Sequence, residues 1–182
     1  GGSIGVDSTP GKGSCFWFYL PLQQAPAQSL LIPGEQGASR LREFPLQVLV
    51  VDDSAVNRLL ACQVVKSHWP HAVMVQAADG VQALEALQAK TFDLVLMDML
   101  MPVMDGIEAT RRLRTQWPSP QRDVPVLALT ANVNTEDHQR CKAVGMNALV
   151  LKPFDRHALC GLIEEQLLRS AAFLQRFHRT EG

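Results

Sequence analysis

From residue 46 onward the chain alternates short apolar runs, rich in Val, Leu and Met, with longer stretches in which apolar residues recur every three or four positions. The runs are of strand length, and two of them, Leu94–Met97 and Val126–Leu129, have no polar side at all, as in strands covered on both faces. This pattern predicts strands near 47–51, 72–77, 94–98, 125–130 and 148–151, and helices over about 55–67, 80–89, 106–116, 135–144 and 155–168. The segment Gly80–Ala89 illustrates the helical spacing, with Val81, Leu84 and Leu87 three apart and expected on one face. Strand and helix alternate about five times, which argues an α/β architecture: a parallel sheet with crossover helices on both faces.

Before that region the pattern changes twice. Residues 1–22 read as two strands joined by a Pro10-Gly11-Lys12-Gly13 turn. Residues 23–45 carry Gln, Ala, Pro, Gly and Ser with little periodicity and read as a linker ending at Phe44-Pro45. Beyond 168, residues 169–182 read as a helical extension or a tail. The Gly11-Lys12-Gly13-Ser14 stretch is no phosphate-binding P-loop: Val6 stands where the first glycine belongs, Gly13 follows the lysine, and a strand rather than a helix comes next.

Four apolar runs end in a chemically distinctive residue. The first stops at Asp52-Asp53, the third at Asp98, the fourth at Thr130-Ala131 and the fifth at Lys152-Pro153. Reactive groups in α/β proteins gather at the carboxyl ends of strands, so these residues are expected to meet. The ordered set resembles the two-component receiver domain over about residues 46–168. Residues 1–22 resemble the last hairpin of a histidine-kinase ATP-binding domain whose nucleotide-binding boxes lie upstream, so that piece is not expected to bind ATP. Hairpin, linker and receiver in this order resemble the C-terminal part of a hybrid sensor histidine kinase, and the parent is expected to be such a protein-histidine kinase.

The resemblance implies a flavodoxin-like, doubly wound five-stranded sheet of order 2-1-3-4-5, and a function in phosphorelay signal transduction. Asp98 would accept a phosphoryl group. Asp52, Asp53 and Asp98 would form a hard oxygen site suited to Mg²⁺, with the Leu100 carbonyl a further ligand and Asp53 the more direct of the acidic pair. Lys152 would pair with Asp98 and then with its phosphoryl group, across a cis Lys-Pro bond. Thr130 would donate its hydroxyl to a phosphoryl oxygen, and the small Ala131 would leave its backbone N–H accessible. Asp52, Asp53 and Ser54 also suit a helix-capping turn.

Two positions depart from the receiver pattern. Leu149 replaces the usual switch Tyr or Phe, so the aromatic rotation that reports phosphorylation is not expected here. Leu100 stands where many relatives carry a polar side chain, and either shielding of the acyl phosphate or plain packing fits it. The first receiver helix, beginning near Val56 and carrying Leu59, Leu60, Val64 and Val65, has more apolar residues than one inner face needs.

The formal net charge of −1 and the lack of a basic run exclude the usual electrostatic footprint of nucleic-acid binding. Cys15, Cys62, Cys141 and Cys160 stand singly and suggest reduced thiols rather than zinc or a disulfide framework. No apolar run approaches membrane-spanning length and the Gly-Gly start has no signal-peptide pattern, so the fragment is expected in the cytoplasm, making no membrane contact, even if the parent is anchored in the inner membrane. His68, His71, His138, His157 and His178 lack the surroundings of a phosphodonor. The expected partners are a phosphohistidine on its own or another kinase and a histidine phosphotransfer protein. The competing classes are an aspartate-nucleophile phosphatase, whose Asp-x-Asp motif is missing at both Asp52 and Asp98, and a non-phosphorylated binding module. Whether the hairpin is disordered, packs on the receiver or pairs between chains is left open by the sequence.

Overall fold

The computed structural model describes residues 3–9, 13–19, 40–131 and 135–179, and the chain divides into two units, residues 1–37 and 38–182. In the first unit β1 (Ser3–Thr9) and β2 (Gly13–Tyr19) pair antiparallel, from Ser3 opposite Tyr19 to Thr9 opposite Gly13. The expected turn at residues 10–12 lies outside the described residues, as does most of the expected linker. The Trp17 indole lies over Gly5, where a Cβ would sit 2.3 Å from the ring. Ile4, Phe16, Phe18 and Tyr19 are exposed.

The second unit is built from β3 (Gln47–Val51), α1 (Ala55–His68), β4 (Val73–Ala77), α2 (Gly80–Ala89), β5 (Leu94–Asp98), α3 (Gly106–Gln116), β6 (Val126–Thr130), α4 (Thr135–Val144), β7 (Ala148–Leu151), α5 (Arg156–Arg169) and α6 (Ala171–Arg179). Its strands are parallel in the order β4-β3-β5-β6-β7, the flavodoxin-like 2-1-3-4-5 arrangement. Because side chains alternate across a strand, each strand supplies both layers of the core. Val48, Val50, Leu96, Leu127 and Leu129 pack with Ala61, Val65, Leu159 and Ile163 on the face covered by α1 and α5. Leu49, Val51, Val95, Met97, Val126 and Ala128 pack with Ala83, Leu87, Ile107 and Leu113 on the face covered by α2 and α3.

Helix starts are set by short polar caps. Ser54, Asp79, Asp105 and Asp155 each accept a hydrogen bond from a backbone N–H in the first turn of α1, α2, α3 and α5. The buried stripe of α2 differs from the expected one. It runs through Gly80, Ala83 and Leu87; Leu84 is half-buried and Val81 is exposed, because the small residues let the helix lie close to α3. Gly80 shows how close: a Cβ there would meet Met104 and Ala109 at under 3 Å.

The unit extends beyond the limits read from the sequence. Leu41 and Phe44, at the end of the expected linker, are buried, and so is Phe173 of α6. The Phe44 ring meets Phe173 edge-on with centroids 5.4 Å apart, and meets Phe177 at 5.3 Å. Arg176 binds this corner together: its guanidinium lies 4.8 Å from the Phe44 ring centroid, donates to the Pro45 carbonyl (3.0 Å) and pairs with Asp93 (2.7 Å). Asp93 is buried and also accepts from the Gln47 N–H at 2.7 Å. Burial raises its pKa, against the lowering effects of the Gln47 hydrogen bond and the Arg176 charge. This clasp closes the amino ends of the strands.

Phe173→Ala is expected to cost about 3 to 5 kcal/mol in denaturant unfolding, as for other buried aromatics. An ionised Asp93 is disfavoured in the fold, so the folded state holds its proton more tightly and stability falls as pH rises from about 3.9, the ordinary Asp value, through the raised one. Arg176→Ala removes the compensating charge and pushes that pKa further up. The destabilisation caused by Arg176→Ala should therefore grow with rising pH across this window, whereas a pH-independent loss would assign Arg176 to packing alone.

Candidate functional site

The sheet order brings the sequence-predicted residues to one edge. Asp98, the last residue of β5, stands opposite Leu129 of β6, and Thr130 stands opposite Leu151 of β7, so Asp98, Thr130 and Lys152 fall at the carboxyl ends of three adjacent strands. Asp52 follows β3 on the other side of β5, held by its N–H to the Ala77 carbonyl at 3.2 Å. The Lys152 N–H donates to the Thr130 carbonyl at 2.7 Å, and the Lys152–Pro153 peptide is cis.

Lys152 joins two of the acids. Its Nζ lies 2.5 Å from Asp52 Oδ2 and 2.8 Å from Asp98 Oδ2, and both carboxylates are buried. Burial raises the pKa of Asp98; the hydrogen bond and charge of Lys152 lower it, and the charge of Asp52 raises it. For Lys152, burial is the largest single influence and acts downward. The bonds and charges of both carboxylates together outweigh it, so the ammonium is held above its ordinary pKa.

Carboxylate oxygens of Asp52, Asp53 and Asp98 all lie within 4.8 Å of one another. Three carboxylates against one ammonium leave an excess of negative charge at the mouth of the sheet, and the donors are all hard oxygens. This set fits a small divalent cation that retains part of its water. The roles of the acidic pair separate. Asp52 Oδ1 accepts from the Ser54 N–H (2.9 Å) and from Asn57 Nδ2 (3.1 Å), and its Oδ2 is taken by Lys152. Asp53 is exposed, so its oxygens are the more available. The capping reading also holds in part, since Ser54 caps α1.

The loop after Asp98 is tightly constrained. The Leu100 N–H donates to Asp98 Oδ1 at 3.3 Å, while the Leu100 side chain is 74% exposed, which removes the packing reading for it. Val103 has φ +68°, and the Met104 N–H bonds the Pro102 carbonyl across it at 2.8 Å, as in a γ-turn. That left-handed conformation is costly for a β-branched residue. It is held by Met104, whose side chain is buried and whose carbonyl accepts from the Gly80 N–H at 2.9 Å. Gly106, at the start of α3, is packed against Asp98 itself: a Cβ there would lie 2.0 Å from the Asp98 carbonyl oxygen.

Thr130 is buried at the end of β6 and Ala131 is exposed directly after it. Leu149 is half-buried against the α2–α3 layer of the core. On α1, Val65 is buried and Val64 packs on the core, but Val56 (74%), Leu59 (61%) and Leu60 (41%) are exposed. Sequence reasoning passed over Asn57 and Arg58. The Arg58 guanidinium donates to the carbonyls of Asp52 (2.6 Å) and Asp53 (3.2 Å). The available signal was a pair of adjacent polar side chains, Asn57 and Arg58, in the first turn of a helix that starts directly behind the acidic pair.

The family model for the response regulator receiver domain matches residues 48–164. The chain belongs to the receiver family. The chain is 32% identical over 172 residues to hybrid signal transduction histidine kinase K of Dictyostelium discoideum, covering 90% of this chain and 14% of that protein. It is 36% identical over 153 residues to the sensor histidine kinase AruS of Pseudomonas aeruginosa, covering 84% and 14%. The chain thus spans only a small part of the curated relatives it matches. Among solved structures it is similar to the receiver domain of a Pseudomonas aeruginosa PAO1 sensor histidine kinase that holds a magnesium ion in its active-site cleft. That match has a TM-score of 0.61 and 33% identity, and covers 68% of this chain and 98% of that one. Chemotaxis protein CheY4 of Vibrio cholerae matches with a TM-score of 0.61 and 32% identity, over 67% and 98% of the two chains. No helix among the described residues is long and apolar enough to cross a membrane.

Gly106→Ala should force the Asp98 carbonyl and the α3 start apart. The expected cost is about 1 to 3 kcal/mol in unfolding, as for overpacking, together with slower phosphorylation of the receiver by a small-molecule phosphodonor. A variant with unchanged melting and unchanged rate would show that the approach of α3 to Asp98 is not required.

Proposed function

We infer that this receiver accepts a phosphoryl group on Asp98 from a phosphohistidine of its own or another kinase, and passes it to a histidine phosphotransfer protein. The observation that carries the reading is the Lys152 ammonium shared between Asp52 and Asp98 beside an exposed third carboxylate. A carboxylate oxygen of Asp98 attacks phosphorus, the phosphorus–nitrogen bond breaks, and the departing imidazole nitrogen keeps the electron pair, which leaves a neutral imidazole with its proton on the other ring nitrogen. Asp98 is buried apart from the edge it presents at the strand end, which limits access to an in-line approach. Lys152 exchanges its bond to Asp98 for one to a phosphoryl oxygen without leaving Asp52. Thr130 and the backbone N–H of Ala131, at the end of the strand between those that carry Asp98 and Lys152, donate to the remaining phosphoryl oxygens. Asp53, Asp98 and the Leu100 carbonyl would hold a Mg²⁺, with Asp52 orienting the set, and the ion would supply charge neutralisation for the incoming phosphoryl group.

The exposed residues Val56, Leu59 and Leu60 on α1, with Leu100 and Val103 on the neighbouring loop, give this edge an apolar rim. A helical bundle bearing the partner histidine docks there. Leu149 has no ring to rotate, so the surface formed by α4 and β7 changes little on phosphorylation. The parent protein is a hybrid sensor kinase, residues 1–22 close its ATP-binding domain, and the receiver works in the cytoplasm.

Incubation with acetyl phosphate and Mg²⁺, read by intact mass, should give one stable added phosphate, lost in Asp98→Asn. Turnover of the donor without accumulation would instead indicate a phosphatase, and no reaction a binding module. Amide-shift mapping with a cognate phosphotransfer domain should perturb α1 and the loop after Asp98; perturbations confined to α4 and β7 would reject the docking edge.

A further inference from the structure

We propose that Arg58 is a positioning residue that aims the Asp53 carboxylate into the acidic cluster and thereby sets the affinity of the site for its divalent cation. The inference rests on the metal-site reading above and concerns how that site is held.

Asp53 differs from its neighbours in being exposed, so no surrounding core fixes its side chain. Its direction depends on the backbone. The carbonyl of Asp52 belongs to the peptide plane before the Asp53 Cα, and the carbonyl of Asp53 belongs to the plane after it. Arg58 Nη1 donates to both, at 2.6 Å and 3.2 Å. With both flanking planes tied to one guanidinium, the φ and ψ of Asp53 are set, and with them the direction of its Cα–Cβ bond. The guanidinium is itself anchored at the far side, because Nε donates to Gln76 Oε1 on β4 at 3.3 Å. Arg58 also sits in the first turn of α1, where its N–H bonds the Ser54 carbonyl at 3.1 Å, so the tether spans the β3–α1 connection and the adjacent strand. A planar fork with several donors suits this task, and a single ammonium does not.

The sign of the effect separates this role from simple electrostatics. A cation close to a dication site repels the dication, so removing the Arg58 charge would tighten binding if charge alone mattered. If positioning dominates, removal lets the loop relax and weakens binding. Outer partners of metal ligands commonly carry such effects.

The test is a Mg²⁺ titration of the unphosphorylated receiver, followed by amide shifts, for the parent, Arg58→Ala, Arg58→Lys and Asp53→Asn, with melting curves for each. Arg58→Ala is expected to raise the half-saturating Mg²⁺ concentration about tenfold and Arg58→Lys by less. In acetyl phosphate reactions the Mg²⁺ requirement should rise likewise, while the maximal rate at saturating Mg²⁺ is retained. Unchanged or tighter Mg²⁺ binding in Arg58→Ala, or a maximal rate that saturating Mg²⁺ does not restore, would overturn the proposal. If Arg58→Ala fails to fold, Arg58→Lys decides on the same criteria. Asp53→Asn separates the two levels: if it leaves Mg²⁺ binding unchanged, the metal-site reading itself fails, whereas weakening in Asp53→Asn but not in the Arg58 variants rejects only the positioning role.

Discussion

The contact on which the rest of the receiver depends is the Lys152 ammonium lodged between Asp52 and Asp98, at 2.5 Å and 2.8 Å. Charges removed from water are tolerated only when they are paired and hydrogen-bonded, and here each member needs the others. Asp52 has its remaining oxygen occupied by Ser54 and Asn57, and Asp98 is shielded by the residues that follow it. The three groups come from strands far apart in sequence, β3, β5 and β7, so the cluster exists only when the parallel order β4-β3-β5-β6-β7 is complete. Fold and chemistry are therefore linked: the charges meet because the sheet closes in this order, and the excess negative charge they leave demands a cation.

Strain and close approach maintain the geometry around that cluster. Val103 holds a left-handed conformation, the Gly80 N–H donates to the Met104 carbonyl, and Gly106 lets α3 start almost in contact with the Asp98 backbone. These constraints fix where the Asp98 carboxylate points while leaving the Leu100 and Val103 side chains at the surface. An apolar rim over an acidic cleft results directly from the loop conformation.

Much of this was legible in the sequence because it rests on short-range signals. Apolar runs of strand length ending in Asp98, Thr130 and Lys152 gave both the strand positions and the edge at which the groups gather, and β3, β5 and β7 fall where the pattern put them. Long-range packing left no comparable mark. On α2 the expected face holds at Leu84 and Leu87 and fails at Val81, while the closest contact is made through Gly80 and Ala83, small residues that carry little hydrophobic signal. Leu41 and Phe44 read as linker, and residues 169–182 as a helical extension or a tail, because the packing that ties them to the core joins Phe44 to Phe173 and Phe177 across more than a hundred residues of chain. Arg58 was passed over because its role runs through backbone carbonyls, which no side-chain pattern records.

The clasp of Phe44, Phe173 and Arg176 gathers the incoming and outgoing backbone of this unit at the amino ends of its strands, while the acids stand at the carboxyl ends. The two poles are thus divided between tethering and exchange. A longer polypeptide can hold the domain by both ends without any strand of connecting chain crossing the mouth of the cleft. Such a module can be lengthened at either terminus while its acids remain at the opposite pole.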